Sequence, residues 1–517
     1  MGHWAGRASG LSCSLIALAS VCTSASADDV ALDVKRHVLD NGMTILVVER
    51  HTAPVFSAYI HYRVGSANEW PGMIGAAHLL EHMLFKGTTT LGTKDYAREA
   101  PLLAREDSLR AQITREENRS RMLNFQRSLG LADVEDNAPR IAQLTAELEA
   151  VKTALADLVE KNEYEELYNR NGATSFNAGT GYDGTTYYVA LPSNRLPLFF
   201  EVEGDRMANP ILREFYAERD VVIEERRLKV DNEGDAKLFE QLIGTAFIAH
   251  PYQIFWEWKS EVAQLTRPKL VDFFKRYYAP NRMVLAIVGD VSAEDVFALA
   301  DHHFGPTPRQ PDPDPIATVE PVQEGERRVC QEFDAEPYLS VGYHKTAFDD
   351  PDEIVFRVIH RVLSDGRTSR LYKSLVLDQQ IAVHVSTYDF PGSESGDLYP
   401  NLLGIDVVPK APHTTADAEQ ALYAELDRLG REPISGDELQ KVKNRIEADF
   451  VWSLYSNLGL ASNLAEYEAR AGNWQYLLTV RDQLAKVSQN DIMRVASIAF
   501  RPQNRTVATL VPMEPEG

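Results

Sequence analysis

Two histidines and a glutamate, His78, Glu81 and His82, stand within one short turn of the apolar run GAAHLLEHMLFKGT, residues 75–88. At about 100° of helical rotation per residue the three share one face, while Leu79 and Leu80 point elsewhere, into a core. Imidazoles at i and i+4 can bind one zinc at about 2.0–2.1 Å each, and the carboxylate beside them is placed to reach a water on that metal rather than the metal itself. The order H-x-x-E-H reverses the commoner H-E-x-x-H zinc turn. On a buried helix such a polar face would be costly without a compensating ion. A catalytic zinc takes three protein ligands, so a third must come from elsewhere. The acidic stretch EFYAERDVVIEERR, residues 214–227, offers candidates. Glu218 and Glu225 are seven apart and share a helical face, whereas Glu224 points about 100° away. Taken alone, this stretch reads as a surface helix laced with salt bridges.

The elements that must position these residues come in two copies. Leu265 to Pro280 and Val487 to Pro502 each carry a Thr or Ser helix cap, an amphipathic helix, an aromatic-X-Pro break and then a β-rich run, at an offset of 222 (502 − 280). A weaker match pairs Leu84–Gly87 with Leu363–Gly366 at an offset of 279 (366 − 87), which leaves about 57 extra residues in the first copy. The segment from about 96 to 166 is the candidate insertion. There Ile141, Leu144, Leu148, Val151, Leu155 and Leu158 form a heptad seam, and with Gly130 and Pro139 as breakers the segment reads as a helical hairpin. Asp40-Asn41-Gly42 signals a β-hairpin turn, and Phe56, Ala58, Ile60, Tyr62 and Val64 alternate with polar residues as a half-buried strand would. Hairpin-style strands with helices between them predict an α+β fold of two homologous domains, each a mostly antiparallel sheet packed against helices. The expected boundaries are 28–305 for the first domain, a Pro-rich linker at 306–325, and 326–517 for the second.

With HLLEH at 78–82, ERDVVIEERR at 218–227, SFNAGTGYDGTTYYVALP at 175–192 and the duplication, the chain resembles the pitrilysin family of zinc metallopeptidases, which includes insulysin and the mitochondrial processing peptidase. The resemblance implies one zinc per chain held by His78, His82 and Glu225, with Glu81 as general base and Glu218 as a supporting acid. It also implies that Asn177 and Ala178 lie where the family holds its peptide substrate as an added strand. The 142 residues between His82 and Glu225 exceed the family's usual gap by an amount close to the inferred insertion. In the weaker repeat match His78, Glu81 and His82 fall on Arg357, His360 and Arg361, so the second copy cannot repeat the site. Active single-chain members supply an Arg and a Tyr from their far half, and here Val376 and Val383 stand in those places. The expectation is a zinc-dependent endopeptidase working as one half of a dimer, with a partner subunit or a second copy supplying the Arg and Tyr. The alternative is a non-catalytic zinc-binding scaffold or assembly subunit of the same fold.

Residues 1–27 read as a cleavable secretory signal: one charge at Arg7, an apolar stretch from Leu11 to Val21, and Ala25-Ser26-Ala27 ahead of Asp28. Cleavage near Ala27 would deliver the chain to the periplasm or the exterior, and no later stretch is apolar enough for a membrane span. A net charge of −23 disfavours nucleic acid as a partner. Cys330 alone remains after cleavage and cannot close an internal disulfide. The G-x-G-x-x-G match at Gly179–Gly184 precedes a β-branched, aromatic run rather than a helix, which excludes a dinucleotide fingerprint.

Overall fold

The computed structural model describes residues 32–130, 137–393 and 396–513, so the expected signal segment lies outside the described residues. Strands β1 (Lys35–Val38), β2 (Thr44–Glu49), β3 (Val55–Tyr62), β4 (Thr174–Thr180), β5 (Thr185–Pro192) and β6 (Met283–Gly289) form one sheet in the order β1-β2-β6-β3-β5-β4. Strands β7 (Arg327–Phe333), β8 (Tyr338–Lys345), β9 (Ala382–Phe390), β10 (Asn401–Pro409) and β11 (Arg505–Pro512) form a second, in the order β7-β11-β8-β10-β9. The path β2-β6-β3-β5-β4 of the first sheet is the path of the second. Each sheet has one parallel pair, β2 with β6 and β11 with β7, among otherwise antiparallel neighbours. The fold is thus α+β, built from two homologous halves.

Between β3 and β5 the first half carries α1 (Ala76–Met83), α2 (Tyr96–Ser128), α3 (Ala138–Ala156) and α4 (Glu163–Arg170). After β5 come α5 (Leu196–Ala208), α6 (Phe215–Arg226) and α7 (Gly234–Ala246). Helices α2 and α3 pack as an antiparallel pair on Leu109, Ile113, Leu144, Leu148 and Val151, the spacing at which one heptad seam meets another helix. Gly130 adopts a left-handed conformation after α2, and Pro139 sits in the first turn of α3, where its missing N–H costs nothing. The pair is closed at its base by a bridge between Thr93 and Val159. Buried ion pairs tie that base to the body. Arg213 Nε donates to Glu99 Oε1 at 2.7 Å, Arg267 reaches Glu106 and Asp107, and Tyr216 donates to Asp107 Oδ1 at 3.0 Å.

The half-buried strand expected at residues 56–64 is instead buried on both faces: Ser57, Tyr59 and His61 are as enclosed as Phe56, Ala58 and Ile60. The reason is non-local. The helix Asn457–Ala471, from the far half of the chain, lies across β3 and β6, and Tyr59 donates to its Glu466 at 3.0 Å. In return α7 lies against β7, β8 and β11, with Leu238 and Leu242 packed on Ala508 and Leu510. The two helices start 223 residues apart (457 − 234), in step with the repeat offset. Each half therefore covers the other's sheet. No helix among the described residues is long and apolar enough to cross a membrane.

Candidate metal centre

Helix α1 begins at Gly75, which takes φ +89°, a conformation that favours glycine, and a Cβ there would also press on the Glu257 side chain. The first turn has no side-chain cap of its own. The carboxylate of Glu69 replaces it by accepting the backbone N–H groups of Gly75 and Ala77, each at 2.7 Å, where the helix dipole favours a negative charge. Ala76, Ala77, Leu79, Leu80 and Met83 are fully buried, so packing fixes the helix's rotation and leaves His78 and His82 on the open side. Their side chains are 18% and 23% exposed, and that of Glu225 is 22% exposed, enough to admit a ligand yet partly shielded from water.

The geometry of these three groups is specific. His78 Nδ1 meets Glu257 Oε1 at 2.8 Å, and His82 Nδ1 meets Glu218 Oε1 at 2.9 Å. A carboxylate accepts but cannot donate, so each Nδ1 carries a proton, and in the neutral ring each Nε2 keeps its lone pair. The two Nε2 atoms converge to 3.2 Å, and Glu225 Oε2 stands 3.6 Å from both. Three donors on a triangle of this size fit a tetrahedral ion with bonds of about 2.0–2.1 Å, and an N,N,O set of this kind suits zinc. No other such cluster occurs among the described residues. Burial works against charge on His78, but the hydrogen bond to Glu257 and the nearby carboxylates of Glu81 and Glu225 outweigh it and hold its pKa up at about 9. Burial likewise opposes ionisation of Glu218, yet the His82 and Lys86 hydrogen bonds bring its pKa down to about 2. Anionic surroundings on this scale draw a cation to the imidazole pair.

Of the residues singled out from sequence, His78, His82 and Glu225 come together. Glu218 lies behind His82, where it also takes Lys86 Nζ at 2.6 Å. Glu224 turns to solvent and pairs with Arg227, as the helical-face argument required. Glu81 stands beside the triad rather than in it, accepting a hydrogen bond from Thr180 Oγ1 at 2.6 Å, and it shares the wall of a cavity of about 400 Å³ with His82, Glu218 and Asn177. Asn177 and Ala178 lie on β4, an edge strand paired only with β5 among the described residues. Sequence reasoning missed Glu257, Glu69, Thr180 and Lys86. Lys86 lies only four residues after His82, just beyond the end of α1. Glu257 gave no local signal, because it sits in a loop 179 positions from His78.

Residues 44–119 and 156–255 match the insulinase family, peptidase family M16, and residues 264–446 match the peptidase M16 inactive domain. The chain belongs to the M16 peptidase family. Among M16 relatives it is 25% identical to the zinc protease PqqE of Helicobacter pylori over 486 residues, 92% of each chain. It is 22% identical to a probable mitochondrial-processing peptidase subunit beta of Schizosaccharomyces pombe, covering 89% of this chain and 87% of that one. A crystal structure of a protease from Helicobacter pylori superposes with a TM-score of 0.75 at 23% identity, over 93% of this chain and 100% of that one. The periplasmic protease PqqL from Escherichia coli superposes with a TM-score of 0.66 at 15% identity, over 93% of this chain but 48% of its own. The M16 match skips residues 120–155, which include α2 from Ser120 onward and nearly all of α3. In the second half the helix Pro351–Ser364 carries Arg357, His360 and Arg361 at the positions paired with the α1 triplet, so the half matched to the inactive domain lacks the donor set.

Proposed function

We propose that this chain is the zinc-bearing, catalytic subunit of an endopeptidase acting on peptides or unfolded polypeptides. The observation that carries the reading is the convergence of two Nε2 lone pairs and Glu225 Oε2 on one point, with both Nδ1 atoms held from behind by carboxylates. A zinc ion bound by His78, His82 and Glu225 supplies Lewis acidity toward the scissile carbonyl and makes water a nucleophile near neutral pH. The chain's own residues do the rest. Glu81, steadied by Thr180, takes a proton from water on the open side of the triad and passes it to the leaving amine. Glu218 and Glu257 fix the tautomer and orientation of the two imidazoles. The free edge of β4 at Asn177 and Ala178 receives the substrate backbone as an added strand.

The catalytic unit in this reading is residues 28–305, followed by a linker at 306–325 and the companion unit at 326–517, with export to the periplasm or exterior after cleavage near Ala27. Val376 and Val383 supply neither the Arg nor the Tyr that would hold the substrate carbonyl, so a second subunit, or a second copy of this chain, provides them. Two relatives lend this support: one is named as a subunit of a processing peptidase, and the PqqL chain is about twice as long as the part matched here.

The test is Glu81→Gln in the purified mature protein, alone and with co-purifying partners. Zinc should stay at one per chain while chelator-sensitive peptide cleavage falls by about 10²-fold or more. A scaffold or metal carrier would bind zinc equally well in both forms and show no cleavage to lose.

A further inference from the structure

The turn between β4 and β5, Gly181-Tyr182-Asp183-Gly184, is held from both halves of the chain. The first half holds its backbone: Ser66 and Ala67 donate their N–H groups to the carbonyls of Gly181 at 3.1 Å and Tyr182 at 3.0 Å. The second half holds the Asp183 side chain. Its Oδ2 accepts the backbone N–H of Leu398 at 2.9 Å and stands 3.4 Å from Arg470 Nη1, besides taking the Tyr252 hydroxyl at 2.7 Å. Arg470, on the helix Asn457–Ala471, is fixed in turn by Ser393, whose Oγ accepts from its Nη2 at 2.5 Å. The Asp183 and Arg470 side chains are only 4% and 7% exposed, so neither charge can turn to water if the other is removed.

Apolar packing adds little to this connection. A cavity of about 310 Å³ lies between the two sides, with Gly179 to Gly184 on one and Pro391, Ser393, Asp397 and Arg470 on the other. The apolar contact is chiefly Tyr182 against Phe390, with ring centroids 5.1 Å apart. Thr180, three residues before Asp183, is where the turn reaches the chemistry. Its Oγ1 donates to Glu81 Oε2 at 2.6 Å, the one hydrogen bond that the Glu81 carboxylate accepts among the described residues. A misplacement of about 1 Å at Thr180 would break that bond, and errors on this scale cost up to about 10²-fold in rate. We infer that the second half positions the general base: Arg470 and the Leu398 N–H hold Asp183, Asp183 fixes the turn, and the turn keeps Thr180 against Glu81. The half without a donor set thereby acts on the chemistry of the half that has one, an inference that rests on the peptidase reading.

Arg470→Met and Asp183→Asn are compared with the parent as zinc-loaded mature protein, with co-purifying partners present, by steady-state cleavage of one fluorogenic peptide. Each should lower kcat about tenfold or more, with KM within about twofold and one zinc per chain retained. Arg470→Lys, which keeps a charge within reach of Asp183, should recover part of that loss. Thr180→Val cannot donate to Glu81 and should lower kcat to a similar level, and Arg470→Met added to it should cost nothing further. A purely structural role would instead make the two losses multiply. An unchanged kcat in folded, zinc-loaded Arg470→Met, or losses that multiply with Thr180→Val, would overturn the inference. Should Arg470→Met not fold, Asp183→Asn carries the same comparison, since it keeps an oxygen for Leu398 and Tyr252 and loses only the charge. No cleavage by the parent, with zinc and partners, removes the peptidase reading and base positioning with it. A cleaving parent that is indifferent to Arg470 and Asp183 removes the positioning alone.

Discussion

His78 is held from two sides, by the turn of α1 and by Glu257 across 179 positions of chain. The carboxylate both selects the tautomer that leaves Nε2 free and raises the basicity of the ring. Glu257→Gln keeps an acceptor for the Nδ1 proton but removes the charge, so it isolates the electrostatic part of that support. Zinc affinity should fall about 10–100-fold, read by competition with a chelator of known strength, while the far-ultraviolet circular dichroism is unchanged. An unchanged affinity would mean that Glu257 serves only to pack the loop. The contrast with Glu224 is instructive: it neighbours Glu225 in sequence, yet it faces solvent and pairs with Arg227. Helical periodicity was enough to separate these two, whereas nothing in the run Trp256-Glu257-Trp258 announced a partner for a histidine.

Helices α1, α2 and α6 meet around one arginine. Arg213 is buried beside Glu99 from the first turn of α2, and its guanidinium also donates to the carbonyls of Lys86 at 3.1 Å, Leu91 at 2.9 Å and Thr88, in the loop that leaves α1. One side chain thus links the start of the hairpin, the exit of the metal-site helix and the entry to α6, which carries Glu218 and Glu225. Arg213→Met would strand the Glu99 carboxylate in the interior and free three carbonyls. A loss of about 3–5 kcal/mol in urea unfolding is expected. The double substitution Arg213→Met with Glu99→Leu should recover part of it, because both polar partners are then gone. The hairpin seam on Leu144 and Leu148 was legible as a heptad pattern. The anchoring of its base was not, since the partners of Glu99 and Glu106, Arg213 and Arg267, lie more than a hundred positions away in the chain.

The two halves are joined by exchanged helices and by a polar cluster where they meet. Asp183 from the first half pairs with Arg470 at 3.4 Å and accepts the Tyr252 hydroxyl at 2.7 Å, and Asp397 lies close by with 2% of its surface exposed. Burial raises the Asp397 pKa to about 6, against the pull of the Ser393 backbone N–H, and the negative Asp183 adds to the rise. The folded protein therefore keeps this proton up to about pH 6, while the unfolded chain releases it near 3.8. Stability from this group is full below about pH 3.8 and is lost as pH rises through 6, at about 1.4 kcal/mol per unit. Asp397→Asn cannot ionise and escapes that loss. Its melting temperature should match the parent near pH 4 and exceed it at pH 7–8, by an amount reflecting up to about 3 kcal/mol. A constant difference across pH would show that the carboxyl is ionised throughout.

Local periodicity in the sequence determined the α1 donor face, the acidic face of α6, the hairpin seam and the duplication, because each depends on residues a few positions apart or on a repeated pattern. Tertiary structure alone decided that β3 is buried on both faces, that Glu257 and Thr180 serve His78 and Glu81, and that Arg470 of the second half pairs with Asp183. These depend on which distant segments cover a surface, and a strand's alternation or a loop's composition carries no record of what will pack against it.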